Sequence, residues 1–104
     1  MEHYKQLASE FLINSFVEKY DAYRQYIDVL NNELDQQSIP YHYTYDEFCV
    51  ELLNRFLNTI NRLIASNRMD EFSEKFEELL SGTVNEISRN VSSSKYSSFY
   101  SNRS

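Results

Sequence analysis

The chain has 104 residues, one glycine, one proline, one cysteine and a net charge of −6. That length makes one domain with a thin core, and so little glycine and proline excludes turn-rich β folds in favour of long helices. The charge is of the wrong sign for a phosphate backbone, which calls for a basic face, so nucleic acid is not an expected partner.

Residues 2 to 36 contain no helix breaker. Apolar residues from Tyr4 to Leu34 recur at helical spacing. From Phe16 the steps are nearly heptad, through Tyr20, Tyr23, Ile27, Leu30 and Leu34. Phe11 to Phe16 is a step of five, which rotates the stripe around the helix. A break is therefore predicted between Glu18 and Ala22, with Asp21 as N-cap of a second helix. One unbroken helix would reach about 50 Å and overhang later helices of about 33 Å. The break makes four helices; its absence would leave three.

Asp35 to Pro40 ends this run, because Pro40 pushes Ile39 out of helical geometry. Tyr41, His42 and Tyr43 suit extended chain, with the tyrosine hydroxyls expected in water. Thr44 and Glu47 then have the spacing of a capping box. Behind them Phe48, Cys49, Leu52, Leu53, Phe56, Ile60, Leu63 and Ile64 make one wide apolar face. This helix is the one the others must cover. Ser66-Asn67-Arg68 is a short turn, with Asn67 as the expected cap of the next helix. Met69, Phe72, Phe76, Leu79, Leu80, Val84, Ile87 and Val91 carry the last stripe. It keeps its phase through Gly82, so one helix is predicted through the glycine. Residues 1–91 are thus expected to form an all-α, antiparallel four-helix bundle. Residues 92–104 are Ser-rich and, by composition, form a flexible tail.

The acid excess lies in the body. From Ser92 onward the chain holds Lys95 and Arg103 and no acid, so the residues before it carry −8 against −6 for the whole. Such a body suits a basic protein or peptide, by steering more than by affinity. Catalytic chemistry finds little material. No His or Cys lies three or four residues from another, and one glycine cannot build a phosphate loop. Inward glutamates with a Glu-x-x-His pair, the signature of metal-bearing bundles, are missing. No metal, cofactor or enzymatic activity is expected. Cys49 reads as a small hydrophobe on an apolar face. Residues 1–20 lack the apolar run of a secretory signal, and no stretch of about 18 apolar residues could span a membrane. A soluble, cytoplasmic protein is expected, without membrane insertion.

Four segments carry a resemblance to a family. They are Asn54-Arg55-Phe56-Leu57-Asn58, Ser66-Asn67-Arg68, Glu77-Glu78-Leu79-Leu80 and Asn85-Glu86-Ile87-Ser88-Arg89. With the length, the helices and the aromatic C-terminal segment, the chain resembles the immunity proteins of pediocin-like bacteriocins, of the enterocin A immunity type. The resemblance implies a cytosolic protein that protects a bacteriocin producer. It would lock the bacteriocin with its mannose-phosphotransferase receptor from the inside, with specificity set by the C-terminal half. Tyr96, Phe99 and Tyr100 are the candidate partner-binding anchors, because aromatics bury much area for little lost rotamer freedom. Lys95 and Arg103 are the basic contacts beside them. A rival reading is a phage- or plasmid-encoded acidic inhibitor of a host enzyme or defence nuclease. A third is a regulatory helical subunit of a larger complex.

Overall fold

The computed structural model describes residues 2–72 and 74–93. The expected all-α bundle forms, with no strand among the described residues. Its helices are α1 (Glu2–Glu18), α2 (Tyr20–Gln36), α3 (Tyr45–Ala65), the single turn α4 (Met69–Phe72) and α5 (Phe76–Ser92). The segment expected to be a tail lies, from residue 94 onward, outside the described residues.

The break in the first helical region falls within the predicted window, at Lys19. Its capping differs from the expectation. Asp21 sits inside the first turn of α2, and Lys19 holds the N-cap position at φ −105°, ψ 22° with no side-chain cap bond. The two ladders meet at Lys19, which closes the last bond of α1 and accepts the first bond of α2. Lys19 N–H donates to the Ser15 carbonyl and Tyr23 N–H to the Lys19 carbonyl, each at 2.8 Å. One N–H fewer is left over than at a free helix start, because the Lys19 N–H is already bonded to α1. Two side chains act at the bend. The Ser15 hydroxyl donates back to the Phe11 carbonyl at 3.0 Å. The Tyr45 hydroxyl donates to the Phe16 carbonyl at 2.5 Å. Back-bonding and side-chain insertion into the ladder are both known causes of helix bends.

The two halves of this bent rod use different partners. α1 runs antiparallel to α3. Phe16 meets Tyr45 at one end, Phe11 lies on Phe56 in the middle, and Tyr4 reaches Asp70 just past the far end. α2 lies beside α5 in the same direction. Lys19 pairs with Glu77, the Tyr26 hydroxyl donates to the Val84 carbonyl, and Gln37 donates to the Val91 carbonyl. The chain reverses only twice, at residues 37–44 and 66–75, so α5 returns in the sense of the rod.

α3 begins and ends as its residues dictate. Thr44 Oγ1 accepts from Glu47 N–H at 3.1 Å, and Glu47 Oε1 accepts from Thr44 N–H at 3.1 Å, completing the capping box. At the other end Asn67 has φ 58°. Arg68 N–H reaches the Leu63 carbonyl and Asn67 N–H the Ile64 carbonyl, the paired bonds of a left-handed helix stop. Asn67 therefore closes α3 rather than capping the next helix, because asparagine tolerates this backbone region. Ser38 does the same for α2 at φ 59°, with Ile39 N–H on the Leu34 carbonyl. Ile39 and Leu34 are both buried there, the apolar contact that accompanies this stop.

The last stripe is not one helix. Tight i→i+3 turns open and close α4: Glu71 N–H reaches the Arg68 carbonyl at its start, and Lys75 N–H reaches the Phe72 carbonyl between it and α5. They redirect the chain so that Phe76 packs against Phe11 and Phe56. The helix does run through Gly82, as the phase of its stripe required. Phe48, Leu52, Phe56 and Ile60 of α3 are fully enclosed, with Leu80, Ile87 and Val91 of α5 against them. Leu53 and Phe76 are half-buried, at the edge of this core rather than inside it. The connection differs from expectation too. Tyr43 is buried, and its hydroxyl donates to Glu51 at 2.8 Å instead of facing water. Asn31 holds it from the other side by a two-way bond with the Tyr43 backbone.

Candidate binding surface

The candidate anchors Lys95, Tyr96, Phe99, Tyr100 and Arg103 all lie outside the described residues. What the structure does place is the ground from which that segment departs. The end of α5 is fixed at two points. Gln37 Nε2 donates to the Val91 carbonyl at 2.6 Å. With its amide turned to match its neighbours, Asn90 accepts from the Arg55 guanidinium at 2.6 Å. Ser93 N–H closes on the Arg89 carbonyl, and the described chain ends there, three residues beyond Asn90.

Arg55 is also one wall of a groove of about 420 Å³. Val50, 57% exposed, and Tyr41 give it an apolar floor; Asp46, Glu47 and Glu51 stand around it. The arrangement follows from local rules. The extended connection ahead of the capping box lays Tyr41 against the first turns of α3, and Val50 falls on the outer side of that helix. Arg55 Nε donates to Glu51 at 2.9 Å, and its other branch pairs with Glu86 of α5. Burial pulls the guanidinium pKa down, but the bonds to Glu51 and Glu86 outweigh it and hold the pKa above its ordinary value. Arg55 thus stays charged and rigid, as a planar fork with several carboxylate and amide partners does. The Glu51–Arg55 half of this cluster is an i,i+4 pair within one helix, so it is local to the sequence. The link to α5 depends on helix pairing.

A second polar cluster lies at the bend. Burial pushes the Tyr23 and Tyr45 hydroxyls each up to about 12, with the Glu77 carboxylate adding to the first and the neighbouring Cys49 to both. Burial also raises the Cys49 thiol. A thiol raised in this way is a poor nucleophile, since thiolate is the reactive form. Cys49 is half-buried, a little less enclosed than a core hydrophobe. His42 faces Asp35 at 2.6 Å on the exposed connection. Among the described residues no three His, Cys, Asp or Glu side chains gather where they could hold a metal ion. No helix is long and apolar enough to cross a membrane, among the same residues.

Fold and surface together define a small acidic helical bundle with an anchored last helix beside an open groove. Comparison with protein-family models, with curated proteins and with solved structures gave no match.

Proposed function

We propose that this protein acts by binding another protein, without catalysis, as an immunity protein of the pediocin-like bacteriocin kind. In this reading it engages the bacteriocin together with its membrane sugar-transport receptor from the cytoplasmic side. The observation that carries it is the anchoring of α5. Val91 and Asn90 are held by Gln37 and Arg55, so the last helix ends on a fixed base near the groove that Arg55 lines. A segment launched from a rigid base loses less freedom on binding than one on a loose hinge. Tyr96, Phe99 and Tyr100 then serve as anchors, with Lys95 and Arg103 as polar partners. The sequence resemblance described above supplies the choice of partner.

The test is protection. The full chain and a chain ending at Val91 are expressed in a bacteriocin-sensitive strain. The reading expects protection by the full chain and its loss in the shorter one, with helical circular dichroism retained. Full protection by the shorter chain would remove the segment from the mechanism. No protection by the full chain against any pediocin-like bacteriocin would overturn the reading.

A second reading has its own support. Asp70, Glu71, Glu74, Glu77 and Glu78 are all exposed along α4 and the start of α5. An acidic strip of this kind fits the basic groove of a host enzyme or defence nuclease, which the protein would block by occupying it. Inhibition that fades steeply with added salt would favour this second reading.

A further inference from the structure

We propose that the chain forms a dimer by exchanging α1 between two copies, with the rod α1–α2 straightened at Lys19. Three observations meet at the bend.

The first is a partly uncovered apolar stripe. Ile13 is 58% exposed, Val17 76% and Tyr20 43%, the last with its ring also against Tyr45 at 4.7 Å between centroids and its hydroxyl accepting from Arg24. Their steps of four and three have the spacing of a coiled-coil seam, and they run without a phase slip across Lys19. Two separate helices have no reason to share one seam. A continuous helix does.

The second is the chemistry of the break. It is one residue long, and hydrogen bonds bracket it on both sides. No glycine, proline or side-chain cap holds Lys19 out of the helix. Apart from the Ser15 back-bond to the Phe11 carbonyl, the bend is held from outside, by the Tyr45 hydroxyl on the Phe16 carbonyl and by the packing of α1 on α3. Straightening breaks no covalent constraint and asks Lys19 only to move into ordinary helical geometry.

The third is size. A stable interface buries about 800 Å² on each partner, and three partly exposed side chains fall well short of that. Two intact monomers meeting on this stripe would not hold together. Exchange removes the shortfall. Each α1 leaves its own α3 and packs on the partner's with the same side-chain contacts. Only the Tyr45 hydroxyl loses the Phe16 carbonyl, which the straight rod gives to the Tyr20 N–H. The monomer's packing is thus remade and the stripe is an added gain. Such exchange is a low-cost route to symmetric dimers. The stripe also suits a two-fold axis. Glu10 and Arg24 lie at its two ends, on the same helical face and both exposed. Antiparallel rods bring the Glu10 of each copy towards the partner's Arg24.

The test uses the full chain, refolded from denaturant at low and at high concentration and sized by light scattering after chromatography. The proposal expects a dimer from concentrated refolding that relaxes to monomer slowly on dilution, because α1 must leave α3 first. Val17→Glu places like charges at the axis and should lower the dimer association constant by about tenfold or more. Its monomer should keep the wild-type circular dichroism, since Val17 is mostly in water. Tyr45→Phe frees the Phe16 carbonyl and should raise the dimer fraction. Monomer alone after refolding at every concentration, in both the wild type and Tyr45→Phe, overturns the proposal. A dimer that dissociates within the mixing time, or one indifferent to Val17→Glu, overturns it as well.

Discussion

Replacing Phe56 with alanine removes the ring on which three helices converge. Phe56 is fully enclosed, with Phe11 of α1 at 6.1 Å and Phe76 of α5 at 6.0 Å between ring centroids. Phe11 and Phe76 also touch each other at 5.6 Å, so the three rings form a closed node. Deleting one leaves a cavity that the other two cannot fill without moving two helices. Buried Phe→Ala changes cost about 3–5 kcal/mol, and the poor capacity for collapse places this site towards the upper end. A domain of this size has a total stability of about 5–15 kcal/mol. The variant should therefore give up about a third of that stability or more. Each kcal/mol shifts the midpoint of a domain near 100 residues by about 4 °C or more, so thermal unfolding should move down by about 12 °C at the least. Circular dichroism during heating reads this directly, and a urea titration gives the free energy. A shift of one or two degrees would refute the assignment of the inner face of α3. Leu53→Ala is the internal control. Its side chain is half-buried, and its loss should be clearly smaller.

Two further outcomes follow from single features of the structure. Gly82→Ala should stabilise the protein by about 1 kcal/mol in urea unfolding, since a β-carbon there meets nothing within 4 Å and the position is an exposed helix interior. Tyr23→Phe should leave stability unchanged or raise it slightly at neutral pH, because the hydroxyl is buried with no hydrogen-bond partner among the described residues. Tyr23 also bears on alkaline unfolding. Its folded-state pKa of about 12 lies above the ordinary 10, as does that of Tyr45. Below pH 10 both tyrosines are neutral in either state, and their neutral packing is fully available. Between 10 and 12 the unfolded chain ionises first, so stability falls as pH rises through that window. The fall should be shallower in Tyr23→Phe, measured as urea midpoint against pH; equal slopes would show that Tyr23 ionises alike in both states.

Much of this protein is decided within short stretches of chain. Thr44 and Glu47 satisfy each other's backbone and start α3, because a capping box needs only four consecutive residues. The end of α2 ahead of Pro40 is local in the same way. The step of five between Phe11 and Phe16 marked the break, since a change of phase is visible in periodicity alone. Val84, Ile87 and Val91 continue the stripe beyond Gly82, and the burial of Ile87 and Val91 follows. Other features had no local signal. Asn67 has the chemistry of a helix start and of a left-handed helix stop, and only the course of the chain after Leu63 chose the second. The apolar residues of α1 are spread around its circumference, so periodicity could not say that Ala8 and Leu12 would be covered while Ile13 and Val17 faced out. The position of α3 made that choice. The links of Arg55 to Glu86 and of Tyr45 to the Phe16 carbonyl join residues 31 and 29 positions apart. Helix pairing alone brings them together, because hydrogen-bonding groups act only at contact. Local chemistry set where the helices begin and end; their packing set which faces meet, where the rod bends and which apolar stripe is left partly uncovered.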